Sequence, residues 1–207
     1  MGNIVAFLSQ KGGVGKSTLA RAFATEASKA GLSVMIADLD VQQGTVTQWH
    51  LNRERNGHRR IGMVSSFGKV SEALPFADQY DYLVLDGAPR ASSAGFEIAK
   101  SADLIVLPSG ASMDDLMPAI LLAHEFMKKG VELNRLVMAL TKVQTKAEIE
   151  DAIEYISNAG YKILDGHLPE KPGYRQAQNE GLAVTETRFK SLNEKADQLI
   201  QSIINAL

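Results

Sequence analysis

The chain has 207 residues, 45% hydrophobic and 22% charged, which suits one globular α/β domain spanning 1–207 with a substantial core. Its formal net charge of −2 excludes a global basic field, so nucleic-acid contact would need a local patch or a dimer. The absence of cysteine excludes disulfides and thiolate-held metal or iron–sulfur clusters, and with neither a membrane-length apolar run nor a leader a cytoplasmic protein is expected.

The apolar run Ile4 to Leu8 leads into Gln10-Lys11-Gly12-Gly13-Val14-Gly15-Lys16-Ser17-Thr18, and a helix-compatible run follows from Ser17 to Ala30. Strand, glycine-rich turn and helix N-terminus in this order make a phosphate cradle. Glycines let successive backbone N–H groups point at phosphate oxygens, and the helix start adds unsatisfied N–H groups and a positive dipole end. Lys16 is placed to neutralise β/γ-phosphate charge and the Ser17 hydroxyl to ligate Mg²⁺.

Gly31 suits a helix C-cap. Ser33 to Ala37 then reads as a buried strand ending in Asp38-Leu39-Asp40, an acidic pair where open α/β sheets bind ligands. Asp38 supports Asp40, or the metal, or caps the next helix. That helix runs from Gln43 to about Asn56, with Val46, Trp49 and Leu51 on its apolar side. The basic run from Arg53 to Arg60 reads as solvated surface. Ile61 to Val64 forms a short strand and Gly68 to Phe76 a short helix. Tyr80 to Leu85 is an apolar strand ending in Asp86, the Walker B arrangement, with a carboxylate at a strand tip near the Mg²⁺ shell.

A helix from Ser93 to Ser101 leads to a strand from Asp103 to Pro108. The loop from Ser109 to Asp115 offers Ser112 or Asp114 as a cap for a helix ending near Lys129. Met113, Met117, Leu121 and Leu122 in that helix read as core or interface packing. Arg135 to Thr141 is the next strand, Lys146 to Ala159 a helix, and Tyr161 to Leu168 the last strand. The tail holds a short helix from Tyr174, a loop around Gly181 and a helix from Phe189. There Leu192, Ala196, Leu199, Ile203 and Leu207 recur at helical spacing, a stripe expected to dock on the domain. Strands alternating with helices predict a mostly parallel sheet with helices on both faces.

The common phosphate-loop pattern, G-x-x-x-x-G-K-S/T, has Gln10 at its first glycine, and the loop gains a second lysine, Lys11. In the form K-G-G-x-G-K-S/T it resembles the deviant Walker A motif of the ParA/MinD family of P-loop ATPases. The resemblance covers essentially the whole chain and lies nearest the small ParA-type partition ATPases without an N-terminal helix-turn-helix. It implies that Lys11 reaches the partner subunit's nucleotide while Gly12, Gly13, Val14, Gly15, Lys16, Ser17 and Thr18 wrap the chain's own. The family's D-x-D-P-Q run is matched by Asp38, Asp40 and Gln42, with Val41 in place of proline, and implies that Asp40 positions the attacking water. Ser17, Asp86 and Asp40 would surround Mg²⁺, and Asp86 with Pro89 matches the family's D-x-x-P switch. Thr141, Lys142, Pro169 and Glu170 would border the adenine. Lys171, Arg175, Arg188 and Lys190 would form a DNA-facing patch in a dimer, or are ordinary surface.

The activity so implied is slow ATP hydrolysis with Mg²⁺ by an ATP-dependent homodimer. The dimer would sit on non-specific double-stranded DNA of the nucleoid, and a cargo-bound adaptor would release it by stimulating hydrolysis. The implied cargo is a plasmid or chromosome. Other family roles remain open: positioning of a chemoreceptor cluster or carboxysome, a MinD-like membrane cycle, or a metabolic enzyme of this fold such as dethiobiotin synthetase. Lys190 and Lys195 are balanced by Glu194 and Asp197, a poor match to a lipid-facing helix.

Overall fold

A computed structural model describes residues 2–88 and 93–207. Pro89 of the expected switch element lies outside the described residues. Alternation of apolar residues with period two sets the faces of the first strand. In β1 (Asn3–Phe7), Ile4 and Ala6 face one core cluster, Val5 and Phe7 the other. The same division recurs along β2 (Val34–Asp38), β4 (Tyr82–Asp86), β5 (Leu104–Ser109) and β6 (Leu136–Val143), each buried along nearly its whole length. Strands apolar on both faces are what a parallel sheet covered by helices requires.

With β3 (Met63–Ser66) and β7 (Lys162–Pro169) they form a seven-stranded sheet of order β3-β2-β4-β1-β5-β6-β7, every pairing parallel. On one face lie α1 (Lys16–Lys29), α2 (Thr45–Arg55), α7 (Pro172–Asn179) and α8 (Lys190–Ile204), contributing Phe23, Trp49, Tyr174 and Leu199. The other face is covered by the short α3 (Val70–Ala73), α4 (Ser93–Ser101), α5 (Met113–Lys128) and α6 (Lys146–Asn158), contributing Ala73, Ile98, Phe126 and Ile156. The chain winds outward from β1 in both directions, so the crevice beyond the carboxyl ends of β1 and its neighbours is where a ligand fits.

The stripe of the last helix docks as expected. Ala196, Leu199 and Ile203 are fully buried against β7 and α1, Leu192 is half-buried, and Leu207 is exposed. Close approach is possible because Gly166 stands there on β7 with φ 84°, where a Cβ would come within 3.0 Å of the Leu199 amide nitrogen.

Two side chains depart from the sequence expectation, and α5 divides its own between core and surface. Leu51 is exposed, because the buried face of α2 is carried by Val46, Trp49, His50 and Arg53. Arg53 is not solvated surface: it is 1% exposed, and its guanidinium donates to both oxygens of Glu186, at 2.6 and 2.9 Å. On α5, Leu122 is buried, whereas Met113, Met117 and Leu121 are exposed along a single stripe.

Candidate active site

The loop between β1 and α1 is shaped from below by β6. Thr141, at the end of that strand, donates its hydroxyl to the Val14 carbonyl at 2.7 Å. Gly15 takes φ 103°, and a Cβ on it would press on Thr141 at 3.2 Å, so both backbone angle and space call for glycine. Helix α1 starts at Lys16 with no side-chain cap and no acidic residue in its first turn. Its first N–H groups and dipole end are thereby left for an anion. Lys16 is buried, and its ammonium donates to Ser9 Oγ at 3.0 Å and to the Lys11 carbonyl at 3.4 Å. Burial pushes its pKa down, opposed by the charges of Asp86 and Asp40.

Asp86 faces this cation from the tip of β4. Its Oδ2 accepts from the Ser17 hydroxyl at 2.6 Å, while the buried Oδ1 has no partner among the described residues. Burial pushes the carboxyl up to about 7 against the opposing effects of Ser17, Arg21 and Lys16. A hydroxyl on a carboxylate with an uncommitted buried oxygen is the donor set a hard divalent cation fits, so Ser17 and Asp86 would hold Mg²⁺. Asp38, one strand over, is spent otherwise. Its Oδ2 accepts from the amides of Val46 and Thr47 and the Thr47 hydroxyl, each at 3.1 Å, capping α2 from the neighbouring strand. Asp40 stands half-buried in the loop between β2 and α2, where its side chain accepts from the Gln43 amide at 3.3 Å.

Two adjoining cavities open over these residues. One, of about 270 Å³, is lined by the phosphate loop, Arg21, Asp40, Gln43, Thr45 and Gly87. The other, of about 300 Å³, is lined by Thr141, Lys142, Pro169, Glu170, Lys171 and Arg175. They share Gly13, Gly15, Thr18 and Gln178, so together they form one cleft, with cations at both ends and an apolar wall of Leu168, Pro169 and Val184 at the second. The sequence candidates for phosphate and for base thus lie side by side. Lys142 meets this cleft in a left-handed conformation, φ 56°. Lys11 turns away from its own cleft and donates to the Asp114 carbonyl at 2.9 Å and to Asp115 Oδ1 at 2.6 Å, both at the start of α5.

Of the four DNA candidates, Lys171 and Arg175 line the base end of the cleft. Arg188 lies 4.8 Å over the Phe189 ring in a separate depression, and Lys190 pairs with Glu194 at 3.8 Å. Sequence reasoning missed Arg21 and Gln178. Arg21 had a signal: it falls four residues after Ser17 on the same helix face, a lone charge in the otherwise apolar run from Leu19 to Ala24. Gln178 had none, since only the packing of α7 brings it across to α1.

A family model, the CobQ/CobB/MinD/ParA nucleotide binding domain, matches residues 5–184. The chain belongs to this family. Solved structures share its fold at low identity. MinD, the cell division ATPase of Pyrococcus furiosus, is 16% identical with a TM-score of 0.79, each chain covered completely. A McdA variant from Cyanothece in complex with ATP is 16% identical with a TM-score of 0.76, over 97% of this chain and 96% of that one. A plasmid partition protein described from Borrelia burgdorferi, bound to AMPPNP, is 16% identical with a TM-score of 0.76, both chains covered completely. No curated protein sequence matches the chain.

Proposed function

We propose that this chain is a ParA-type ATPase that works as a switch, dimerising on ATP, binding DNA without sequence preference and positioning a plasmid or chromosome cargo. The observation that carries the reading is the division of labour between its two loop lysines. Lys16 is buried against Ser9 inside its own cleft, whereas Lys11 stands on the rim, held by Asp115. A cation on the rim is available to a nucleotide presented by a second copy. Gly12 to Thr18 and the first turn of α1 bind the phosphates, and Thr141, Lys142, Pro169 and Glu170 bound the base end. Ser17 and Asp86 would hold Mg²⁺, which when bound would supply neutralisation of phosphate charge. Asp40 holds the water that attacks the γ-phosphorus, the bond to the β-phosphate oxygen breaks, and ADP and phosphate leave. Lys16 and the partner's lysine stabilise the charge that develops.

The buried stripe of α8 favours DNA over a lipid surface as the support, and the membrane-cycling role is set second for that reason. Lys171, Arg175, Arg188 and Lys190 are the proposed phosphate contacts of a nucleoid-bound dimer, and a cargo-bound adaptor would trigger release. The test is binding to random-sequence duplex DNA with ATP, with ADP and without nucleotide, at two salt concentrations. ATP-dependent binding that weakens with salt is expected. Binding in no state, with anionic vesicles bound instead, would replace this reading with the membrane cycle.

A further inference from the structure

Arg21 is a buried cation that the proposed reaction leaves without a role. It is 6% exposed, on α1 one turn beyond Ser17, and its guanidinium reaches two other elements. Nη2 donates to the Thr45 carbonyl at 2.6 Å and Nη1 to Gln178 Oε1 at 3.3 Å, while Nε has no partner among the described residues. Gln178 Oε1 also accepts from the Thr18 hydroxyl at 3.1 Å, which ties the same junction to the phosphate loop. The ring of Trp49, one turn along α2 from Thr45, lies 5.4 Å from the guanidinium carbon.

Thr45 is the first residue of α2, and the residues before it, 39–44, form the loop that carries Asp40 and Gln43. The near end of this loop is fixed to the sheet, where the Leu39 amide donates to the Asp86 carbonyl at 3.0 Å. The far end is fixed by Asp38 on the first amides of α2 and by Arg21 on the Thr45 carbonyl. Asp38 refers the loop to strand β2. Arg21 refers it to the helix that carries Lys16 and Ser17. A leucine or methionine would fill that space without the cost of burying a guanidinium, so packing alone does not account for Arg21.

We propose that Arg21 is a positioning residue for hydrolysis, fastening the Asp40 loop to the phosphate helix so that Asp40 and the bound phosphate keep one geometry. The inference rests on the ATPase reading above. Arg21→Lys keeps the charge, but its ammonium cannot serve both acceptors in the fork geometry, and Arg21→Met keeps the bulk alone. With either variant, KM for ATP is expected to stay within about threefold while kcat falls about tenfold or more, because small misplacements of reacting groups are costly. Hydrogen exchange at the amides of residues 43–47 should speed up, while that of residues 19–23, within α1, stays as in the native chain.

A merely structural role would move KM, kcat and thermal stability together in both variants, and that result overturns the proposal. Native turnover with unaltered loop exchange in both variants overturns it as well and leaves the ATPase reading intact. A native chain that hydrolyses no ATP overturns the ATPase reading and the positioning role with it.

Discussion

The Lys11 ammonium rests on Asp115 at 2.6 Å and on the Asp114 carbonyl at 2.9 Å, and a proline explains why that carbonyl is free to accept. Pro118 lies inside α5, and having no N–H it leaves the carbonyl four residues earlier, that of Asp114, without its helical donor. Lys11 takes the place of the missing N–H. The lysine and Asp115 side chains are 42% and 26% exposed, so the pair contributes about 1 kcal/mol or less, and the lysine can be released cheaply. Lys11→Ala should therefore leave thermal stability and the ATP affinity of the monomer nearly unchanged while abolishing the proposed ATP-driven dimerisation, with light scattering as the readout. A large loss of monomer ATP affinity would put Lys11 in its own site instead.

Lys16 and Asp40 should fail in different ways. Lys16→Ala removes the cation buried beneath the phosphate loop, and nucleotide binding by calorimetry should be lost. Asp40→Ala leaves that cradle untouched, so the variant should bind ATP, accumulate as a dimer and turn over at least about a hundredfold more slowly, the scale of a lost catalytic base. Normal turnover in Asp40→Ala would remove Asp40 from the reaction.

With Asp86 as the proposed metal ligand, metal binding should depend on pH in the neutral range. Burial holds its carboxyl up to about 7, so without metal it carries a proton below that pH. A cation must displace this proton, and Mg²⁺-dependent nucleotide affinity should be full above pH 7 and decline as pH falls through it. The metal-free chain responds in the opposite sense. The unfolded carboxyl titrates near its ordinary value of 3.8, so this group makes the folded state less stable as pH rises from there toward 7. Asp86→Asn should flatten both profiles; an unchanged dependence of Mg²⁺ affinity on pH in that variant would assign it elsewhere.

Arg53 and Glu186 bind α2 to the segment after α7. Burial raises the Glu186 carboxyl, but hydrogen bonds from Arg53 and the Ala183 amide, with the charges of Arg53 and Lys29, outweigh it and hold the group below its usual range. Arg53→Ala strands a buried carboxylate and should cost about 3–5 kcal/mol in urea unfolding at pH 7. A depressed carboxyl stabilises above its unfolded pKa, so the difference between native chain and variant should shrink in acid, as Glu186 takes a proton. Arg60, 77% exposed and paired with Glu54, should cost less than about 1 kcal/mol on the same change.

The sheet and the phosphate loop were legible because their signals are local: β1 announces itself by Ile4 to Leu8, and the loop by glycines and lysines in a fixed order. The two acidic strand ends were equally plain, but the sequence does not distinguish their uses. Asp38 and Asp86 each end a buried strand, and only the packing of α2 over one and Ser17 against the other separates a cap from the proposed metal ligand. Arg53 shows the limit from the other side. A cluster of arginines looks like solvated surface until Glu186, 133 residues away, is brought beneath one of them. Gly166 belongs with these, since its reason is the backbone at Leu199, in a helix that only packing brings against β7.

The last helix gives the clearest test of the membrane alternative. In a membrane-cycling protein the terminal apolar stripe must leave the domain without unfolding it, so truncation would spare the core. Here Ala196, Leu199, Ile200 and Ile203 are fully buried against β7 and α1. Removing such a side chain costs its transfer free energy and leaves a cavity, about 2–5 kcal/mol for Leu→Ala or Ile→Ala. Leu199→Ala with Ile203→Ala should therefore lower the urea midpoint sharply, and deletion of Lys190 to Leu207 should abolish the cooperative transition. Sedimentation of the native chain with anionic vesicles should be the same with ATP as without it. A truncated chain that unfolds cooperatively at the native midpoint, together with ATP-dependent vesicle binding by the full chain, would instead make α8 a detachable membrane anchor.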